Sequence, residues 1–189
     1  MIRVTLIALM GVMLLFTGCE KEHDPLAGLT PSEARPTGKR EYGEIKAVVL
    51  PLPEGVIEAL GGADVNGAPL KDAHIYFRSM TLVVFQDAFD VKDYVDRMAE
   101  AFSLLATAPD FGDEADSWAI QMQNRSSHQF VTLSCSKEEA VKYSKNTDIN
   151  RLLKGCDYFM INDVIVSNQE KRIEYYEGAI EPPELAPTQ

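Results

Sequence analysis

"WAIQMQNRSSHQFVTLSCSKEE" occupies residues 118–139, and its side-chain pattern decides how the rest of the chain is read. Trp118, Ile120 and Met122 alternate with Ala119, Gln121 and Gln123, and Val131, Leu133 and Cys135 alternate with Phe130, Thr132 and Ser134. Successive strand residues point to opposite faces, so each run has one apolar face and one wetter face. The polar connector at 124–128 joins the two runs as an antiparallel pair. Directly afterwards, Ser136 and Glu139 have the spacing of a helix capping box, in which the first hydroxyl accepts from the amide three residues on. A hairpin with one apolar face, running straight into a helix, predicts an α+β domain. In it a mostly antiparallel sheet is covered by helices on one face.

The flanking segments extend this reading. After Ser136, a helical stretch is expected to break near Asn146 and end at Lys154, with Gly155 as its stop. "DYFMINDVIVS" (157–167) reads as a strand bent at Asn162-Asp163, and "NQEKRIEYYEGAI" (168–180) as a last short helix. Upstream, Val91, Tyr94, Val95, Met98, Phe102 and Leu105 share one face of a 3.6-residue period. They predict a helix over 91–106, capped by Asp90 and stopped before Pro109. "HIYFRSMTLVVFQ" (74–86) reads as one long strand whose centre is apolar on both faces. "IKAVVL" (45–50) is a first strand stopped by Pro51, and "EGVIEAL" (54–60) a short helix closed by Gly61-Gly62. "ADVNGAPLKD" (63–72) is a polar loop.

The globular domain therefore spans 44–180. Residues 20–43 hold three prolines, three glycines and scattered charge without apolar periodicity, which is the composition of a flexible tether. "EPPELAPTQ" (181–189) reads as a disordered tail on the same grounds.

The front of the chain has a different character. Arg3 is followed by an uncharged run from Val4 to Gly18, and charge returns at once after Cys19. A basic start, a short apolar stretch and small residues before a cut are the parts of an export signal. A membrane span needs about 20 apolar residues, more than this run supplies. Leu15-Phe16-Thr17-Gly18-Cys19 resembles the lipobox of bacterial lipoproteins, with Phe16 where that family usually has leucine. The resemblance covers only this segment. It implies removal of residues 1–18, a diacylglyceryl group on the Cys19 thiol and acylation of the new amino terminus by a chain such as palmitate. Glu20, where such proteins retained at the inner membrane tend to carry Asp, implies an outer-membrane anchor facing the periplasm. Each buried CH₂ contributes about 0.8 kcal/mol, so two or three chains hold a protein on a bilayer stably.

Composition narrows the partners. The chain has 18 Lys and Arg against 29 Asp and Glu, a formal net charge of −11. Loss of Arg3 with the signal makes it more negative still. Such a surface repels nucleic-acid phosphates, so no nucleic-acid partner is expected. Two cysteines remain in the domain, Cys135 at the end of one strand and Cys156 at the start of another. Parallel neighbours would hold them about 20 Å apart; antiparallel neighbours bring them to the same sheet edge, within reach of a disulfide. Export to an oxidising compartment favours the bond, which on a chain-entropy model would stabilise by about 3 kcal/mol.

No motif points to a reaction or a cofactor. His23, His74 and His128 lack the i, i+3 or i, i+4 spacing of a helical metal site. "DFGDEAD" (110–116) is acidic but lacks the ligand spacing of a calcium loop, and reads as a solvated loop. Neither a nucleophile elbow nor a phosphate-binding loop is present. No catalytic or metal residue is assigned. The expectation is an envelope lipoprotein acting through protein contacts in an accessory, assembly or inhibitory role. The alternatives are a periplasmic small-molecule or cation binding module and, behind it, an enzyme with a non-local site. An interaction protein should expose an apolar patch, and a binding module should enclose a pocket.

Overall fold

Eight strands build one sheet in which they follow each other in chain order. The computed structural model describes residues 38–42, 45–61, 64 and 66–185, and side chains from residue 47 on. The signal read over 1–18, Cys19, the tether up to residue 37 and the tail at 186–189 lie outside the described residues. The described part belongs to a single compact unit, with the α+β layering expected.

Strand β1 (Gly38–Tyr42) pairs with β2 (Ile45–Pro51). This corrects the tether reading at its end, since residues 38–42 form an edge strand. Their five-residue backbone ladder needs no apolar periodicity of its own. Helix α1 (Glu54–Leu60) ends at Gly61, which takes the left-handed conformation glycine tolerates. The segment 74–86 is not one strand but a hairpin, β3 (Asp72–Tyr76) and β4 (Ser79–Gln86). Phe77 and Arg78 form its two-residue turn, with φ of 48° and 62°. Positive φ at both central residues suits the right-handed twist of the strands, but non-glycine residues seldom adopt it, so sequence hid the turn.

Helix α2 (Val91–Thr107) starts where expected: Asp90 accepts from the Asp93 amide at 2.9 Å. The acidic stretch at 110–116 is a correction. Pro109 opens a short helix, α3 (Pro109–Glu114), which buries Phe111 and Gly112. Proline suits the first helical position because its missing N–H would have had no helical partner there. The chain then enters β5 (Ser117–Asn124), which lies parallel to β4 over eight residue pairs. It is the one parallel pair in an otherwise antiparallel sheet.

β5 and β6 (Phe130–Ser136) form the hairpin read from sequence. Ser136 caps α4 (Lys137–Asn146), Thr147 breaks it at φ 51°, and Asp148 caps α5 (Ile149–Gly155). Gly155 closes that last helix from within, and Cys156 is the residue that caps it. The bend at Asn162-Asp163 is a full reversal between β7 (Tyr158–Ile161) and β8 (Val164–Ile165), with φ of 46° and 65°. Helix α6 (Gln169–Tyr176), capped by Asn168, is shorter than the 168–180 expected. Within the 181–189 segment, the Asn162 side-chain amide donates to the Pro183 carbonyl at 2.7 Å.

The core lies between the sheet and the helices. Met80, Leu82, Val84, Trp118, Ile120, Met122, Val131, Leu133 and Phe159 meet Tyr94, Val95, Met98, Phe102 and Leu105 of α2. The element order is β-β-α-β-β-α from β1 to α2 and β-β-α-α-β-β-α from β5 to α6, with the same antiparallel neighbours in each half. Both halves share a local device. The fourth residue after each cap reaches back to the carbonyl two before it: Tyr94 Oη donates to Ala88, and Arg172 Nε to Val166.

Candidate functional site

Three places gather chemistry. The first is buried. The antiparallel pairing Ser134↔Tyr158 sets the end of β6 beside the start of β7, as the disulfide reading required. Cys135 and Cys156 are both buried free thiols here. Burial pushes the Cys135 thiol up to about 12, with Cys156 as the next contributor. Burial also raises Cys156, to about 11, although the Arg172 guanidinium pulls it down. Neither is a poised nucleophile; thiolates need electropositive, accessible surroundings.

Arg172 was not singled out from sequence. Its Nη1 donates to the carbonyls of Leu153 at 2.9 Å and Cys156 at 3.0 Å and lies 3.1 Å from Cys156 Sγ, while Nε donates to Val166 at 2.8 Å. The carbonyls at the end of α5 lack helical partners and carry partial negative charge, so a cation there satisfies both needs. The available signal was an arginine sharing a helical face with Ile173 and Tyr176.

The second place is a groove of about 520 Å³ between α1 and α2, lined by Gly55, Glu58, Asp93, Asp96, Arg97 and Glu100 among others. It is open to solvent, and Asp93, Asp96 and Arg97 already bond within the chain. Arg97 donates to Asp93 at 2.8 Å, and Asp96 accepts from Lys92 at 2.6 Å and Tyr176 at 2.8 Å. Among the described residues no group of three or more His, Cys, Asp and Glu could hold a metal ion. His74 sits half-buried in β3, and His128 lies exposed in the β5–β6 turn at φ 60°.

The third place is the sheet face turned away from the helices. Registers put Ser79, Thr81, Val83 and Phe85 of β4 there, with Ser117, Ala119, Gln121 and Gln123 of β5. Phe130, Thr132, Ser134 and Ser136 of β6, Tyr158 and Met160 of β7, and Ile165 of β8 continue it. None of these is charged, in a chain that is 25% charged. All but Thr132 are half-buried or exposed, with Val83 at 38% and Ile165 at 57%. Polar groups on it bond weakly to each other, Thr132 to Gln121 at 3.4 Å and Gln121 to Gln123 at 3.3 Å. Sequence reading recorded the wetter side of the hairpin but not this continuity, which needs the strand order.

Among the described residues no helix is long and apolar enough to cross a membrane. Comparison with protein-family models, with curated proteins and with solved structures finds no match to this chain.

Proposed function

We propose that this chain is a bacterial envelope lipoprotein, anchored through acyl chains on Cys19, whose domain acts through protein–protein contacts. The lipobox-like Leu15–Cys19 segment supports the address, and its Glu20 the outer membrane. The observation that carries the mode of action is the uncharged, half-exposed sheet face on an otherwise acidic domain. Charge depletion marks the centre of protein interfaces, and a surface open for solubility alone would be expected to carry charge. The antiparallel β6–β7 pairing supports a structural disulfide between Cys135 and Cys156 in an oxidising compartment, beside the Arg172 clamp.

Mass measurement of the membrane-extracted protein, before and after reduction and alkylation, tests the reading. The expected species begins at Cys19, carries a diacyl or triacyl increment lost in Cys19→Ser, and takes up alkyl groups on Cys135 and Cys156 only after reduction. A chain that keeps residues 1–18 without lipid would sink the anchorage. Thiols that alkylate without reduction would sink the bond.

A further inference from the structure

We infer that the partner of the open sheet face is a second copy of this chain, packed face to face across a two-fold axis. The inference deepens the protein-contact reading and rests on it. Charge distribution is the first argument. The described acidic residues of α1, α2, α3, α4 and α6 lie on the helix side, among them Glu58, Asp96, Glu100, Glu138 and Glu174. Two molecules with net charge −11 repel in most approaches. Sheet against sheet is the approach that brings uncharged surfaces together. Packed sheets lie about 10 Å apart, and a helix layer adds about 10 Å on each outer side. The acidic layers then stand roughly 30 Å apart, well beyond the Debye length of about 8 Å at physiological salt.

Surface chemistry is the second argument. A two-fold interface uses the same patch twice, so the patch must complement itself. Gln121, Gln123, Thr132 and Ser134 can each donate and accept, so every one can bond its own counterpart. Val83, Phe85, Tyr158, Met160 and Ile165 supply apolar area around them. Among the described residues, charge stands only at the margin of this face, where the Arg125 guanidinium lies 5.6 Å from the centre of the Phe85 ring and Asp72 follows on the neighbouring β3.

Area is the third argument. The five strands hold 29 residues, and at about 4.8 Å between strands and about 3.3 Å per residue they cover roughly 460 Å². Before side-chain relief that is the size of a weak, transient interface. Anchorage of both copies on one membrane raises their effective concentration and makes a modest interface sufficient.

The test places a photo-crosslinking amino acid at Val83 in the full lipid-anchored chain, with the same probe at Glu174 on the helix side as control. The expected product at position 83 contains two copies of this chain and nothing else, and position 174 gives none. With the probe at Gln121, a second substitution, Val83→Glu, should cut that product at least tenfold while circular dichroism of the variant stays unchanged. A product joining position 83 to a different protein would overturn the second copy and leave the protein-contact reading standing. Absence of any product at position 83 would overturn both. A product unchanged by Val83→Glu would overturn the face-to-face geometry.

Discussion

Arg172 shows how much one residue can organise. Its guanidinium joins the end of α5, the end of β8 and its own helix α6 through three carbonyls. The same carbonyls lose their partner if the side chain cannot donate. Each buried polar group left unsatisfied costs about 1–3 kcal/mol. Arg172→Met, which keeps the apolar stem, is expected to lower unfolding stability by about 3 kcal/mol or more, read from urea midpoints at constant slope. Arg172→Lys should recover only part, because an ammonium cannot present the planar fork that reaches Leu153 and Val166 together. A loss below about 1 kcal/mol in Arg172→Met would mean that water replaces the clamp.

At the scale of elements, the β3–β4 turn has the clearest conflict between local preference and tertiary need. Phe77 and Arg78 both hold positive φ, and Phe77 is 81% exposed, so nothing packs to offset its strain. Arg78 explains why the turn persists. Its side chain grips Asp116 with bonds of 2.5 and 2.7 Å and reaches the Asp113 carbonyl at 3.0 Å, while its own carbonyl accepts from the Asp116 amide at 2.8 Å. These contacts tie the turn to the start of β5 and pin the parallel register Ser79↔Ser117. The Arg78 bond also holds the Asp116 carboxyl below the usual carboxylate range. A left-handed conformation costs an ordinary residue about 1–2 kcal/mol, and asparagine much less. Phe77→Asn should therefore stabilise by up to about 1 kcal/mol and raise Tm by about 2–4 °C. A lower Tm in calorimetry would mean that the exposed ring has a packing role.

For the whole molecule, two halves of similar element order share one sheet, and most of the charge of the described residues sits on its helix side and in its connections. Ion pairs there are exposed, such as Lys92–Asp96 and Lys142–Glu138. Exposed pairs contribute little, about 0–1 kcal/mol each. Net repulsion from a charge of −11 acts over the whole layer and is screened by salt. Raising NaCl from about 10 to 150 mM, which shortens the Debye length from roughly 30 to 8 Å, should raise Tm by a few degrees. A fall over that range would show that the local pairs outweigh the global field.

Periodicity alone determined much of this protein: α2 and its cap at Asp90, the β5–β6 hairpin, Ser136 opening α4, and the α+β class. Those features depend on neighbours in sequence, and alternation, capping spacing and proline positions record them directly. Tertiary structure decided what local pattern leaves degenerate. A two-residue turn built from Phe77 and Arg78 has no local signal, because distant Asp116 holds it. Residues 38–42 become a strand only because β2 offers an edge. The parallel β4–β5 pairing, the reach of Arg172 and the uncharged face spanning five strands arise from contacts between residues far apart in the chain. No window of sequence holds both partners of such a contact, which is why only the fold could bring them into view.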